Sequence, residues 1–333
     1  MVGPVAVQAG RLTRGTLRAG LADIPLLVLG GGAPGPVLYV QALQHGLELN
    51  GVEVMRRLVT TLEPSRLRGT LILVPMANTL AARVHMQSYP YADRPRERQL
   101  NDMNRRWREP IGGVNHVDQA VAALAPCVAM ADAMIDLHCH EYLYAPMALT
   151  DCHDPTSRAL GIAMGLGVVN HSLGTEGMFG RYCRDTLAKP AITVEMPPLR
   201  RVDAGTSAMG FRAVLNALRW MGMLDEPLDL PERALIFDGG VSDGVRAEHE
   251  GFVARLAQPG DLVTAGAVVG EIWSPDRFEP VQVIRAPRDT AVTSLGRPPV
   301  LWGDPEQDFV NVGESVAGFC VPAAVVEPRR ELA

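Results

Sequence analysis

Residues 38–48 read Leu38-Tyr39-Val40-Gln41-Ala42-Leu43-Gln44-His45-Gly46-Leu47-Glu48. Pro36 to Leu43 is an apolar run of strand type. Directly after Glu48 a helical pattern begins, with apolar residues at Val52, Met55, Leu58, Val59 and Leu62. The strand therefore feeds a helix, the repeating unit of α/β proteins. At the turn between them, a His and a Glu three residues apart can face one way. Neutral imidazole and carboxylate both suit Zn²⁺. Gly46 between them is expected to let the backbone turn tightly without a Cβ clash. His-x-x-Glu also arises by chance, so the rest of the chain must supply a third ligand, a base and an anion clamp.

Working outward, Ile24 to Leu29 is a strand closed by Gly30-Gly31-Gly32, a Gly run without the following helix that a phosphate-binding loop requires. Thr70 to Pro75 is apolar without alternation, as in a central strand covered on both faces. Residues 77–112 are polar, Arg-rich and irregular. Val117 to Ala131 reads as helix, Ala133 to His138 as strand, and Pro146 to Thr150 as strand. Asp154-Pro155 caps a helix running to about Met164. Ala191 to Met196 is a strand stopped by Pro197-Pro198, and Ala204 to Met223 is a long helix. Strands alternating with helices predict an α/β fold, a parallel or mixed sheet flanked by helices. The texture changes near Asp225-Glu226-Pro227. From Ala234 on, short strands are separated by turns such as Asp238-Gly239-Gly240, Gln258-Pro259-Gly260-Asp261 and Ser274-Pro275-Asp276. That spacing predicts a small all-β domain. The expected division is 1–228 for a catalytic α/β domain and 233–325 for a C-terminal β domain.

The chain has 333 residues, 47% of them hydrophobic and 20% charged, so it can bury a large core. Its net charge of −6 argues against nucleic acid or an acidic membrane as a partner. Five cysteines are dispersed with no C-x-x-C pair, which suggests reduced thiols in a cytoplasm-like compartment. The N-terminus has no basic segment followed by an apolar one. No window reaches the ~18 uncharged apolar residues of a membrane span. A soluble cytoplasmic protein is expected, without membrane contact, with homo-oligomerisation left open.

His138 is the candidate third ligand. It closes a strand, where ligands collect in an open α/β sheet. A strand-end His is more commonly a satisfied polar residue. Asp136, two residues earlier on the same face, could support it. Cys139 should point to the other face, and His140 adds to the ligand-rich surroundings. Glu195 lies inside an apolar strand, where a carboxylate is costly unless paired, protonated or used. It is the candidate base, against the plainer reading of a buried Glu paired with an Arg. Asn104 and Arg105, in Asp102-Met103-Asn104-Arg105, are the candidate anion clamp. The Arg fork matches a carboxylate and the Asn adds a directional donor. Arg-rich loops are usually just solvated, and five other Arg residues crowd this one (94, 96, 98, 106 and 108).

These patches fall in the order and approximate spacing of the succinylglutamate desuccinylase/aspartoacylase family, a branch of the zinc carboxypeptidase superfamily. Gln44-His45-Gly46-Leu47-Glu48-Leu49-Asn50-Gly51 resembles its first zinc motif. Val74-Pro75-Met76-Ala77-Asn78 resembles its Val-Pro-x-x-Asn-Pro strand end. Asp102-Met103-Asn104-Arg105 with Trp107 resembles its Asp-Leu-Asn-Arg-x-Phe. Asp136-Leu137-His138 resembles the third-ligand strand, and Thr193-Val194-Glu195 the strand of the catalytic Glu. Together they cover about residues 36–225.

The resemblance implies a zinc-carboxypeptidase-like mixed sheet. It implies one Zn²⁺ per chain on His45, Glu48 and His138, with a position left open for water. Glu195 would be general base, then acid toward the leaving amine. Asn104 and Arg105 would hold a substrate carboxylate. A further Arg would polarise the scissile carbonyl; Arg98 is the choice, with Arg94 and Arg96 as rivals. Three positions depart from the family pattern. Leu47 stands where the first motif has Asp, Thr79 where Pro follows Asn, and Met196-Pro197-Pro198 where Gly-rich sequence is preferred. They touch the substrate pocket rather than the ligands. The segment from Gln258 to Gly270 also resembles biotinyl and lipoyl carrier domains, a barrel-sandwich fold. Those need a Lys at a hairpin tip, and Lys189 is the only lysine.

The expected activity is zinc-dependent hydrolysis of the amide bond of an N-acyl amino acid or related small acyl amine, with Zn²⁺ and Glu195 together activating water. The substrate is expected to be a small molecule carrying a carboxylate. One alternative is a metallocarboxypeptidase acting on short peptides. Another is a non-catalytic zinc-containing binding protein, which would have no need of a base at position 195.

Overall fold

The computed structural model describes residues 1–89, 100–141, 143–297 and 307–333. In chain order it opens with β1 (Arg11–Ala19), β2 (Ala22–Gly30), β3 (Ala33–Ala42), α1 (Asn50–Thr61), β4 (Arg68–Val74) and α2 (Thr79–Arg83). It continues with α3 (His116–Ala129), β5 (Ala133–His138), β6 (Met147–Thr150), α4 (Pro155–Ala163) and β7 (Val168–His171). Then come α5 (Phe179–Asp185), β8 (Ala191–Glu195), α6 (Ala204–Trp220) and β9 (Ala234–Phe237). Short strands follow: β10 (Ser242–Arg246), β11 (Gly251–Arg255), β12 (Leu262–Val263), β13 (Val268–Trp273) and β14 (Pro280–Arg285). The last are β15 (Thr290–Leu295), β16 (Phe309–Val310), β17 (Ser315–Cys320) and β18 (Ala324–Val326), closed by α7 (Pro328–Glu331).

The fold is α/β. Ten strands form one mixed sheet in the order β1-β2-β4-β3-β5-β8-β6-β7-β9-β18. Its centre, β4-β3-β5-β8, is parallel. The central strands are apolar on both faces because both faces are covered. Along β3, Leu38, Val40 and Ala42 join the core under α1, α4 and α6, while Tyr39 joins the core under α3 and α5. In β4, Leu71 and Leu73 face the first core, Ile72 and Val74 the second. Each fully buried Leu or Ile contributes about 1.5–3 kcal/mol. Asn115, Asp154 and Asp203 each accept a backbone N–H at the start of a helix, so α3, α4 and α6 begin at capping side chains.

The C-terminal strands pair antiparallel in two four-stranded sheets, β10-β17-β15-β12 and β14-β13-β11-β16, around a core of their own. The chain leaves the large sheet through β9 and returns to it as β18, which pairs antiparallel with β9. Sheet membership therefore crosses the composition change near residue 230. Leu295 N–H donates to Leu143 O at 3.1 Å, joining β15 to the segment between β5 and β6. No helix among the described residues is long and apolar enough to cross a membrane.

The turn after β3 is built differently from the sequence expectation. Gly46 is not among the glycines with positive φ; the left-handed residue is Leu43, with φ of 61°. A glycine is needed at 46 because another segment comes close. A Cβ there would lie 2.3 Å from the Ala81 carbonyl carbon and 2.4 Å from both Ala81 O and Met86 O. Asn78 ties this segment down. Its Oδ1 accepts from Ala81 N–H and its Nδ2 donates to Gln44 O, both at 3.1 Å. Gly46→Ala should force the backbones apart and cost about 1–3 kcal/mol. Thermal unfolding would show this as a Tm lowered by several degrees, and an unchanged Tm would contradict the close approach.

Candidate metal and active site

Parallel strands place their C-terminal ends on one edge, and four polar residues collect there. His45 and Glu48 follow β3, His138 ends β5, and Glu195 ends β8 opposite His138 in register. The ligand atoms of His45, Glu48 and His138 all lie within 4.8 Å of one another, and all three residues are buried.

The two imidazoles approach Glu48 in the same manner. His45 Nδ1 is 2.7 Å from Glu48 Oε1, and His138 Nδ1 is 2.9 Å from Glu48 Oε2. Their far nitrogens each meet an aspartate: His45 Nε2 is 3.0 Å from Asp102 Oδ1, and His138 Nε2 is 2.8 Å from Asp136 Oδ2. An aspartate behind each ring fixes the Nε2–H tautomer and turns the Nδ1 lone pair inward, the arrangement of a metal-binding histidine. Glu48 Oε2 gives a second sign. It is buried and, although close to His138 Nδ1, makes no aligned hydrogen bond. Ligands that converge on a shared point have this geometry. With three N/O donors from His, Glu and His, the set fits Zn²⁺.

Without a cation, protons do the same work. Burial alone would lower the pKa of His45, but Glu48 and Asp102 outweigh it and raise it to about 10. His138 is likewise raised well above the usual imidazole range by Asp136 and Glu48, against burial. Burial would raise Glu48, yet the two histidines bring it down to about 2.

A ring of polar residues supports this arrangement. Gln44 Nε2 donates to Asp136 Oδ2 at 2.5 Å, and Gln44 Oε1 accepts from Trp107 Nε1 at 2.7 Å. Gln41 Nε2 donates to Asp136 Oδ1 at 3.1 Å, and Gln41 Oε1 accepts from Tyr39 Oη at 2.9 Å. Sequence reading named Asp136 as a support but gave no such part to Gln41, Gln44 or Asp102. The available signal is one glutamine inside an apolar run and another directly after it, where a buried amide must be satisfied.

Glu195 faces the same space. Its Oε2 is buried without a hydrogen-bond partner. Burial pushes its pKa up to about 7; His138 opposes the rise and Glu48 adds to it. The segment after it is latched from α1: Asn50 Nδ2 donates to Met196 O at 3.0 Å and Pro198 O at 3.1 Å. Asn50 thus holds the Met196-Pro197-Pro198 stretch that departs from the family pattern.

A cavity of about 430 Å³ runs along β8 past Glu195, Thr193 and Ala191, with Asn104 near its head and Arg181 and Arg184 of α5 along one side. Asn104 Oδ1 accepts from Phe179 N–H at 2.8 Å, which docks the Asp102–Arg105 loop on α5. Arg105 is partly exposed, and its Nη1 donates to Asn104 O at 2.7 Å. The expected carbonyl-polarising residue Arg98 and its rivals Arg94 and Arg96 lie outside the described residues.

Known proteins share this fold. The model of the succinylglutamate desuccinylase/aspartoacylase catalytic domain matches residues 34–221, more than half of the chain. An N-alpha-acetyl-L-2,4-diaminobutyric acid deacetylase from Halomonas elongata is 26% identical over 324 residues, 92% of this chain and 87% of that protein. Among solved structures, the product-bound ectoine utilization protein EutE (DoeB) from Ruegeria pomeroyi superposes with a TM-score of 0.69 at 22% identity. That match covers 96% of this chain and 99% of the other. A succinylglutamate desuccinylase/aspartoacylase from Rhodobacter sphaeroides superposes with a TM-score of 0.68 at 20% identity, covering 94% of this chain and 96% of the other. The family-model match lies on the sheet edge and helices that carry the His45–Glu48–His138 cluster and Glu195, and this chain belongs to the succinylglutamate desuccinylase/aspartoacylase family.

Proposed function

We propose that the chain is a zinc-dependent amidohydrolase that removes the acyl group from an N-acyl amino acid. The observation that carries this reading is the convergence of His45, Glu48 and His138 on one point, with the buried carboxylate of Glu195 facing it. His45 and His138 would hold one Zn²⁺ through Nδ1, and Glu48 through its carboxylate. Bound there, the ion supplies Lewis acidity toward the amide carbonyl and lowers the pKa of a water.

Glu195 handles the proton. Its unpartnered Oε2 accepts a proton from the attacking water and returns it to the amine nitrogen as the C–N bond breaks. Burial raises this carboxyl toward neutrality, which suits both steps. Asp102 and Asp136 keep the two imidazoles oriented and carry no part of the bond breaking. The proposed carbonyl-polarising group remains Arg98, with Asn104 and Arg105 as substrate contacts. A cavity of about 430 Å³ suits a single acylated amino acid better than a peptide. The Halomonas relative, a deacetylase of N-acetylated diaminobutyric acid by its name, supports the same substrate class.

Glu195→Gln keeps the shape and loses the base. It should retain one zinc per chain by elemental analysis. Its amine release from a panel of N-acyl amino acids, N-acetyl-diaminobutyric acid included, should fall by about 10²–10⁴-fold in kcat. Wild-type turnover in that variant would remove Glu195 from the mechanism. Zinc in the wild type without turnover of any acylated amino acid would point instead to the carboxypeptidase or binding-protein readings.

Asp136→Asn should weaken zinc binding by about 10–100-fold, read by titration against a competing chelator. An unchanged affinity would mean that Asp136 does not orient His138.

A further inference from the structure

A second cluster of metal-binding side chains lies at the opposite edge of the large sheet. Strand β6 runs antiparallel to β8, whereas β6, β7 and β9 are mutually parallel. Their C-terminal ends therefore meet on the far edge, away from Glu195. Asp151 and His153 follow β6, His171 ends β7, and Asp238 follows β9. One ligand atom each from Asp151, His153 and His171 lies within 4.8 Å of the other two.

We propose that Asp151, His153 and His171 form a second divalent-cation site, backed by Asp238, at the rear of the substrate cavity. His171 Nδ1 is 3.7 Å from Asp151 Oδ1. That is too long for a hydrogen bond. It is close to the separation of two donors on one tetrahedral ion, about 3.3–3.5 Å for bonds of about 2.0–2.1 Å. The carboxylate is held in place by His153 N–H, which donates to Asp151 Oδ1 at 3.0 Å. The His153 ring stacks on the His171 ring with centroids 4.2 Å apart, which holds the two imidazoles together. Asp238 Oδ2 is 2.7 Å from His153 Nε2 and supplies the carboxylate that commonly backs a metal-binding imidazole.

The cluster is reachable from solvent, because the His153 side chain is 67% exposed. It also touches the cavity, since Asp151 lines the space that reaches Glu195. Cys152 N–H now donates to His171 Nδ1 at 3.1 Å, and an ion at that nitrogen replaces this contact. Two imidazoles and a carboxylate select a borderline ion such as Zn²⁺, Co²⁺ or Ni²⁺. They do not suit Mg²⁺ or Ca²⁺, which take oxygen ligands.

The test is equilibrium dialysis of the full chain, without a histidine tag, at low micromolar free Zn²⁺, followed by elemental analysis. His153→Ala and His171→Ala should each bind one equivalent fewer than the wild type, and Mg²⁺ should show no such difference. His153 is exposed, so its variant reports on the site even where His171→Ala folds poorly. Reading the difference keeps the result separate from the His45–Glu48–His138 site. Equal zinc content in the wild type and His153→Ala would overturn the proposal and leave His153 and Asp238 as an ordinary surface ion pair.

Discussion

The carboxylate of Glu48 is buried between two imidazoles, and much of the surrounding structure follows from that. Taking a carboxylate out of water costs several kcal/mol even after the protein relaxes. Two positive partners, protons or a cation, must offset it. Placing them obliges His45 and His138 to be buried as well, and each ring then needs an acceptor for its far nitrogen. Asp102 and Asp136 fill that need and in turn require donors. Gln44 and Gln41 provide them for Asp136 and are themselves satisfied by Trp107 and Tyr39. The polar network therefore ends only where aromatic side chains carry it into the apolar core. Removing one member of such a buried set costs about 3–5 kcal/mol, because the others lose their partners.

The sheet makes the network affordable in sequence terms, since three separate segments need only end at the same edge. Strands β3, β5 and β8 are parallel neighbours. Gln41, Asp136 and Thr193 form one cross-strand row, and His138 and Glu195 lie opposite each other two residues further along. Apolar neighbours on both faces set that register. A slip by one residue would turn every side chain to the other face of the sheet. The core thus positions the chemistry and touches its polar network through Tyr39 and Trp107.

The parts legible in the sequence were those with local patterns. The run from Pro36 to Leu43, the His45–Glu48 pair, the strand ending at His138 and the carboxylate in an apolar strand at Glu195 each announce themselves within a few residues. Strand β7 did not, because only Val168 and Val169 are apolar before Asn170 and His171. Helix α5 is seven residues long, too short for a periodicity to show. The pairing of β9 with β18 joins segments about 90 residues apart and leaves no local trace. Gly46 shows a subtler limit. A glycine was legible as a requirement, but its reason is the approach of Ala81 and Met86 from another element, which no reading of the turn itself contains. Asp102 illustrates the same limit, since its link to His45 depends on where a distant loop comes to rest.

The reversal of one strand explains why the cavity has polar chemistry at both ends. Ligand groups in an open α/β sheet gather beyond the carboxyl ends of its strands. In a fully parallel sheet they would all lie on one edge. Here β6 turns back beside β8, and β7 and β9 follow it. Carboxyl ends therefore appear on both edges, with β8 between the two sets. Residues Glu195, Thr193 and Ala191 point alternately from β8 into the cavity, a span of roughly 13 Å at about 3.3 Å per residue. At one end Glu195 faces His138; at the other, Asp151 faces His171. Arg184 of α5 stands at the Asp151 end, with Nη1 3.7 Å from Asp151 Oδ2. In the proposed reaction, a molecule held by its reacting group at the Glu195 end would extend toward the charged side chains of Asp151 and Arg184. Asp151 itself sits among the short strands and loops outside the parallel centre of the sheet.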